Sequence, residues 1–336
     1  MASPLHEFSN SGKKLPAIGL GTMGMAAFYG TPSTQERVNE VLSRAIEKGC
    51  LFWDTANVYS APGTLGDNER QIGSFFRSNP GAREKVFIAS KFAIRYAADG
   101  SRSIDGSREW CLEACKGSLE AIGIDQFDLY YIHRPSENAE IEETIGAMKE
   151  LKDSGKIKYI GVSEFTVEQL ERAEKVAHID AFQIEISPWT PEVLTNGMLE
   201  WCEKNGTTVV AYSPLGRGFL TGRYNSPEDF EEGDFRRHNP RFQGENFSKN
   251  LELVRNIEKI ASKKGCTSGQ ITLAWVLSKS AHMFVIPGTT NPERLVENIE
   301  AGKVELSPEE SEEIDGVINS FKAAGSRYAP GMKTAF

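Results

Sequence analysis

The stretch Val86-Phe87-Ile88-Ala89-Ser90-Lys91 is a run of four apolar residues that ends in a serine and a lysine. A continuous apolar run of this length is typical of a strand in a parallel sheet that is buried on both faces. Eight such β-rich runs occur along the chain, and helical patterns alternate with them. The runs span residues 17–21, 50–54, 86–91, 127–133, 157–163, 181–185, 207–212 and 283–287.

The helical patterns complete a regular alternation of strand and helix. They span residues 33–48, 67–77, 107–122, 141–153, 166–176, 192–204, 250–263, 268–278, 292–299 and 307–322. Eight such units in 336 residues predict an α/β fold, a (β/α)8 TIM barrel that forms a single domain over residues 1–336. Two additions to the barrel are predicted: a long loop after strand 7 (residues 213–247) and an additional C-terminal helix. A loop of that length is usually functional.

The amino-acid composition argues against several classes of partner. The chain has 47 acidic and 38 basic side chains and a formal net charge of −9, which argues against nucleic acid as a partner. No stretch approaches the roughly 20 apolar residues of a membrane-spanning helix, so we expect no membrane partner. The five cysteines lack the spacing of a zinc site. We expect a cytoplasmic protein with reduced thiols and no metal, and the oligomeric state stays open.

The sequence Gly19-Leu20-Gly21-Thr22-Met23-Gly24 follows the first predicted strand and has the spacing of a dinucleotide-binding motif. That motif requires a helix to begin at once, because the pyrophosphate binds at the helix N-terminus. Here residues 25–32 intervene, and Gly30 and Pro32 interrupt any helix. A Rossmann-type dehydrogenase that uses Gly19, Gly21 and Gly24 therefore remains only the alternative fold.

Polar side chains stand where several predicted strands end. Asp54 ends the second strand, Lys91 the third and His133 the fourth, and Tyr59 lies in the loop after the second. The carboxyl ends of barrel strands meet at one face, which is where TIM-barrel active sites lie. Asp54 and Lys91 follow apolar runs, so each requires an opposite charge when buried. They could form a structural ion pair; together with Tyr59 and His133 they make the parts of a proton donor tuned by a cation.

These positions carry a family resemblance. The segments Asp54-Thr55-Ala56-Asn57-Val58-Tyr59 and Tyr131-Ile132-His133-Arg134-Pro135, with Lys91 between them, strongly resemble the aldo-keto reductases. The resemblance extends from residue 17 to residue 299 in the family's order. The run Pro-Leu-Gly-Arg-Gly-Phe-Leu-Thr-Gly-Arg at 214–223 is similar to the branch with pyridoxal-reductase-like and aflatoxin-aldehyde-reductase-like members.

The resemblance implies NADPH-dependent reduction of an aldehyde or ketone to an alcohol, with Asp54, Tyr59, Lys91 and His133 as the catalytic tetrad. Tyr59 would donate the proton, but a free phenol has a pKa near 10 and gives up its proton poorly at neutral pH. We expect Lys91 to lower that pKa, and Asp54 to hold the ammonium in place. We expect His133 to be neutral and to orient the substrate oxygen.

The resemblance also implies a cofactor site for NADPH or NADP⁺. Ser163 and Gln183 match residues that bind the carboxamide, Tyr212 matches the ring that stacks on the nicotinamide, and Arg294 matches the 2′-phosphate ligand. The other implied contacts are Gly21, Thr22, Met23, Asp54, Ser213, Leu215, Gly216, Gly218, Gly288, Thr289, Thr290, Glu297 and Asn298.

Two positions depart from the family pattern. Glu164 stands where many members have asparagine, so its carboxylate would meet the carboxamide or face away. Gly288 stands where some branches have a phosphate-binding lysine, so the preference for NADPH over NADH is open. The charged residues Arg236, Arg237, His238 and Arg241 are expected to be solvated in the long loop.

The resemblance implies that the substrate is a small carbonyl compound. Residues after strand ends or in βα loops could line its pocket, or could equally be core or surface side chains: Phe28, Tyr29, Phe92, Arg134 and Trp189. Their aromatic character favours aromatic or planar aldehydes, and Arg134 could pair with a substrate carboxylate or phosphate. The alternative function is a non-catalytic NADP(H)-binding sensor or subunit.

Overall fold

A computed structural model describes residues 4–97, 101–328 and 334–335. Its central sheet has eight parallel strands, each buried on both faces. These strands are β3 (Leu20–Gly21), β4 (Phe52–Asp54), β5 (Phe87–Phe92), β8 (Phe127–Ile132), β9 (Ile157–Ser163), β10 (Ala181–Glu185), β11 (Thr208–Tyr212) and β12 (Met283–Val285). They are hydrogen-bonded in the order β12-β11-β10-β9-β8-β5-β4-β3. All eight correspond to the runs predicted from the sequence.

The sheet closes on itself between its first and last strands. Parallel bridges pair Ile18 with Val285 and Gly21 with Gly288, and Gly19 N–H donates to the carbonyl oxygen of Val285 at 2.8 Å. A Cβ on Gly21 would lie 2.8 Å from the carbonyl oxygen of Ile286, so glycine allows the strands to approach here. The predicted (β/α)8 TIM barrel is confirmed.

Ten α-helices lie in the described part of the chain. They are α1 (Gln35–Glu47), α2 (Asp67–Ser78), α3 (Arg108–Ile122), α4 (Ile141–Asp153), α5 (Val167–Glu174), α6 (Met198–Asn205), α7 (Gly244–Lys264), α8 (Ser268–Leu277), α9 (Pro292–Glu300) and α10 (Pro308–Ser320). The last of these is the additional C-terminal helix that the sequence predicts. One predicted start was wrong: residues 192–194 form a single 3-10 turn, and Gly197, at φ +88°, precedes the start of α6.

The dinucleotide-motif alternative is wrong. Residues Met23–Met25 form a 3-10 turn and not the start of an α-helix, and α1 begins only at Gln35. A pyrophosphate could not meet a helix N-terminus directly after Gly24. Closure of eight parallel strands further separates this fold from an open dinucleotide-binding sheet.

The long loop after β11 contains four short 3-10 turns before α7. Our expectation of solvated charge is wrong for two of its arginines. Arg236 is buried and pairs with Asp234, and its Nη1 also donates to the carbonyl oxygen of Arg217 at 2.9 Å. Arg241 is buried and donates to Thr190 Oγ1 at 2.8 Å. Internal partners replace water around both guanidinium groups, so the loop has a polar core of its own.

Two antiparallel hairpins were not predicted. The first joins β1 (Leu5–Phe8) to β2 (Lys13–Pro16) and covers the amino ends of the barrel strands. There the Phe8 ring lies 4.9 Å from that of Phe87 and 5.0 Å from that of Tyr159. The second joins β6 (Ile94–Tyr96) to β7 (Arg102–Ile104) and follows the carboxyl end of β5. One hairpin therefore closes the barrel, and the other borders its open end.

Within the described residues, no helix is both long enough and apolar enough to cross a bilayer. The same part of the chain holds no cluster of three or more potential metal ligands. All five cysteines are free thiols, and four of them are buried.

Candidate active site

A cleft of about 1090 Å³ opens at the carboxyl ends of the barrel strands. Its walls come from the loops that follow β3, β4, β5, β8, β11 and β12, and include Tyr59, His133 and Tyr212. Several non-glycine residues that follow the carboxyl ends of the strands have the positive φ angles that L-amino acids disfavour: Phe28 (+74°), Ala93 (+99°), Glu164 (+59°), Ser213 (+48°) and Arg217 (+58°). Such strained backbone tends to gather at functional sites.

Lys91 lies under the floor of this cleft and is fully buried. Its Nζ donates to a carboxylate oxygen of Asp54, to the carbonyl oxygen of Thr55 at 2.9 Å and to the hydroxyl of Tyr59 at 3.1 Å. These three acceptors match the three protons of an ammonium group. The structure therefore brings Asp54, Lys91 and Tyr59 into one hydrogen-bonded group.

Charge in this group is set by burial and by the ion pair. Burial opposes the ammonium form of Lys91, but Asp54 and Tyr59 outweigh it and raise the pKa of Lys91. Burial also raises the pKa of Tyr59, although Lys91 and Arg134 act to lower it. The expected net lowering of the tyrosine pKa is thus not seen in this structure. Lys91 acts to lower the pKa of Tyr59, as expected, but desolvation of the phenol raises that pKa by more.

His133 faces Tyr59 across the cleft, with ring centroids 5.9 Å apart. Burial, Arg134, Lys91 and Arg102 all hold the pKa of His133 well below its usual value. The imidazole is therefore neutral at pH 7 and has one ring N–H to donate. Its Nδ1 has no hydrogen-bond partner among the described residues.

Asn68, at the start of α2, holds the loops around the tetrad and was missed in the sequence. Its Oδ1 accepts hydrogen bonds from the hydroxyls of Thr22 at 2.5 Å and Thr55 at 2.6 Å. Its backbone N–H donates to the carbonyl oxygen of Tyr59 at 3.0 Å. Asn68 is fully buried, so one residue ties the loop after β3 to the loop after β4. A helical asparagine gives no sequence signal for such a role.

Most of the residues implied for the cofactor line the same cleft. These are Gly21, Thr22, Met23, Asp54, Gln183, Tyr212, Ser213, Leu215, Gly218, Gly288, Thr289, Thr290, Arg294, Glu297 and Asn298. Ser163 is fully buried beside Gln183 in the sheet register, and its hydroxyl has no partner among the described residues. Gly216 is not on the cleft wall, since a Cβ there would meet the Trp189 ring at 2.9 Å.

The far end of the cleft is positively charged. Arg294 and Arg223 both line it. Burial and then repulsion from Arg223 lower the pKa of Arg294. Arg223 ends the 214–223 run but was not assigned a role from the sequence. Two neighbouring guanidinium groups on a cleft wall suit a phosphate group.

Glu164 turns toward the C-terminal segment. Its carboxylate accepts from Arg327 Nη2 at 2.6 Å and from the Tyr212 hydroxyl at 2.8 Å. Burial opposes the carboxylate form of Glu164, but Arg327 and Arg134 outweigh it and lower its pKa. The Tyr212 hydroxyl also lies 2.8 Å from that of Tyr328. Glu164 therefore points toward Arg327 and holds the hydroxyl edge of the Tyr212 ring.

The five substrate-pocket candidates divide into two groups. Phe28, Tyr29 and Arg134 line the cleft, and the Phe28 ring lies 6.5 Å from that of Tyr59. Phe92 and Trp189 do not line it, and this corrects their assignment. Phe92 points to the outer side of β5 and stacks on Tyr130, because alternate strand residues face opposite sides. Trp189 stacks on Phe219 beneath the long loop.

Two loops meet across the mouth of the cleft. Tyr29 and Asp234 form an antiparallel bridge, and the N–H of Phe235 donates to the carbonyl oxygen of Phe28 at 3.0 Å. The Arg236 guanidinium lies 4.9 Å from the centre of the Tyr29 ring. Both loops line the cleft, so this bridge joins the wall after β3 to the wall after β11.

Comparison with known proteins gives consistent matches. The sequence profile described as "Aldo/keto reductase family" matches residues 17–319. "Aldo-keto reductase yakc [NADP(+)]" of Schizosaccharomyces pombe is 43% identical over 98% of this chain and 96% of its own length. An "Aldo-keto reductase" of Gibberella moniliformis is 39% identical over 94% of both chains.

Two solved structures are similar in fold. The thermostable aldo-keto reductase Tm1743, crystallised with the inhibitor epalrestat, has a TM-score of 0.74 and 32% identity over 94% of this chain and 99% of its own. The glycerol dehydrogenase AKR11B4 of Gluconobacter oxydans has a TM-score of 0.86 over 99% of this chain and 100% of its own. Its identity of 24% supports the fold alone.

Proposed function

Because this chain belongs to the aldo/keto reductase family, we propose that it reduces an aldehyde or ketone to an alcohol with NADPH, and that Tyr59 donates the proton. The observation that carries this proposal is the pair of hydrogen bonds that Lys91 Nζ donates, one to Asp54 and one to the Tyr59 hydroxyl, 3.1 Å away. If the ion pair of Lys91 and Asp54 had only a structural role, it would not need the Tyr59 hydroxyl beside it at the cleft. The neutral His133 opposite Tyr59 provides a second donor for the substrate oxygen.

The residues present fit the NADP(H) that the family uses. The buried Ser163 hydroxyl has no partner among the described residues, and Gln183 Nε2 reaches the tetrad at Asp54 Oδ2, 2.8 Å away. We propose that these two residues hold the carboxamide and that the Tyr212 ring supports the nicotinamide. Arg294, with Arg223, would hold the 2′-phosphate. The arginine pair thus supplies the positive charge that Gly288 lacks.

The chemistry follows from what each side chain does to charge. When bound, NADPH would supply a hydride to the carbonyl carbon, and negative charge would develop on the carbonyl oxygen. His133 donates a hydrogen bond to that oxygen, and Tyr59 transfers its proton to it. Lys91 stabilises the resulting tyrosinate, and Asp54 keeps the ammonium charged and in place. The bridge between Phe28 and Phe235 helps to exclude water from this step.

The test is Tyr59→Phe. We expect kcat to fall about 100- to 10,000-fold, the usual contribution of a general acid, while the dissociation constant for NADPH changes little. Tyr159→Phe, at the opposite end of the barrel, is the matched control. Near-normal turnover of Tyr59→Phe would remove the proton-donor assignment. Tight NADPH binding by the wild type without turnover of any carbonyl would instead favour the sensor function.

The substrate class rests on the cleft wall. The Phe28 ring lies near that of Tyr59 and Tyr29 lines the same cleft, which favours aromatic or planar aldehydes over short aliphatic ones. Pyridoxal is one candidate, through the resemblance of residues 214–223. The cytoplasmic location stays a prediction.

A further inference from the structure

The β6–β7 hairpin adds charge to the cleft. Tyr96 and Arg102 are paired in its register, and both line the cleft beside His133 and Arg134. Arg102 acts electrostatically on His133 and lowers its pKa. The hairpin is therefore part of the pocket that surrounds the substrate end of the tetrad.

The two arginines of the hairpin have different surroundings. Arg95 forms an ion pair with Asp105 at 3.0 Å, and its guanidinium lies 4.7 Å from the centre of the Trp110 ring. Arg102 is exposed to the cleft, and its side chain has no ion pair or hydrogen bond within the described residues. Arg95 thus has a structural role that Arg102 lacks.

Arg134 follows His133 at the end of β8 and is half-buried. Its Nη1 donates to the carbonyl oxygen of His133 at 2.7 Å, and its guanidinium lies 6.0 Å from the centre of the Tyr212 ring. Glu164 acts electrostatically on Arg134, but its ion pair is with Arg327. In the described part of the chain, no carboxylate contacts Arg134 directly.

Arg102 and Arg134 are two cations that line the same cleft. Burial and then Arg134 lower the pKa of Arg102, so the free protein holds two like charges near the tetrad. Glu137 also lines the cleft, but among the described residues it forms no ion pair with either arginine. An anion between the guanidinium groups would relieve this repulsion and accept hydrogen bonds from both forks.

We propose that Arg102 and Arg134 together bind an anionic group, a carboxylate or a phosphate monoester, on the carbonyl substrate. This inference rests on the carbonyl reduction proposed above and assigns it a substrate class: planar aldehydes that carry a negative charge. The anionic group lies on the hairpin side of the cleft, and the aldehyde points toward Tyr59. The 2′-phosphate of the cofactor lies at the other end, beside Arg294 and Arg223.

The test compares 4-carboxybenzaldehyde with its neutral methyl ester, methyl 4-formylbenzoate. We expect the wild type to prefer the acid in kcat/KM. In Arg102→Gln and in Arg134→Gln we expect that preference to fall about 10- to 100-fold, as expected for a lost hydrogen bond to a charged group, chiefly through KM for the acid. Arg95→Gln, on the same hairpin, should leave the preference unchanged.

Pyridoxal and pyridoxal 5′-phosphate form a second matched pair and distinguish a carboxylate site from a phosphate site. A loss of preference in one pair alone identifies the anion. An unchanged preference in Arg102→Gln for both pairs overturns the proposal, and so does an equal effect of Arg95→Gln. Reduction of the neutral ester without any charge preference overturns the anion site but leaves carbonyl reduction intact. No turnover of any of the four compounds overturns both.

Discussion

Replacement of Lys91 by methionine separates the stability role of the buried ion pair from its chemical role. Methionine has similar length and no charge, so it leaves the fully buried Asp54 carboxylate without its ammonium partner. Breaking a buried pair in this way costs about 3–5 kcal/mol of unfolding free energy. An unfolding entropy of about 2.1 cal/mol/K per residue converts this into a Tm lowered by roughly 4–7 °C for a chain of this length.

The double variant Asp54→Asn/Lys91→Met completes the cycle. It removes both charges, and the amide that replaces the Asp54 carboxylate can still accept the hydrogen bond that Gln183 Nε2 donates at this position. Replacement of a whole buried pair by uncharged residues is often nearly neutral, so we expect most of the lost stability to return. Activity should not return, because Tyr59 then has no cation beside it.

Urea unfolding and steady-state kinetics are the two assays. The stability of Lys116→Met, which removes an exposed pair with Glu120 at 3.9 Å, serves as the control and should change by less than about 1 kcal/mol. Recovery of both stability and turnover in the double variant would refute the reasoning about Tyr59. A single variant as stable as the wild type would show that Asp54 is neutral in the native protein.

Three further predictions concern other parts of the molecule. Arg294→Ala should weaken NADPH binding more than NADH binding in calorimetric titrations, because only NADPH carries the 2′-phosphate; equal losses, or the same effect in Arg237→Ala, would place that contact elsewhere. Burial raises the pKa of Glu69 from 4.5 to about 7. The folded state therefore binds this proton more tightly than the unfolded state, and the free energy of unfolding falls as the pH rises from 4.5 to about 7. In Glu69→Gln the free energy of unfolding should decline less over the same interval. Glu164→Gln removes the charged partner of Arg327, so limited proteolysis should cut the C-terminal segment sooner than in the wild type, and equal cutting rates would count against this anchor.

The barrel could be predicted because its strands are continuous apolar runs that end in polar residues. In β5, the apolar run that begins at Phe87 is followed by Lys91. A lysine is costly to bury, so its position marks the end of the strand at which the candidate active site lies. The two hairpins could not be predicted in this way. Their strands have three or four residues with mixed exposure, which gives too short a pattern to distinguish from a loop.

The sequence indicates which residues form the candidate site better than it indicates which contacts those residues make. Asp54, Lys91 and His133 stand at strand ends, and Tyr59 lies in the loop after one of them. The burial of Arg236, by contrast, depends on Asp234, a partner only two residues away that folds inward with it. The same charge would be solvated in an open loop. Likewise, Glu164 finds Arg327 from the far end of the chain, and no local pattern reveals a contact over that distance.

The closed end of the barrel has a consequence for the time course of folding during synthesis. His6 in β1 contacts the carbonyl oxygen of Met283 in β12, 277 positions later in the chain. At about 5–20 residues per second, a ribosome takes roughly 14–55 seconds to make the intervening segment. Throughout that interval Phe8 can pack against Phe87 and then Tyr159, but it lacks the Phe284 ring, which lies 6.2 Å from it in the folded protein. A newly made chain therefore holds this hairpin by only part of its final contacts until its last strand arrives.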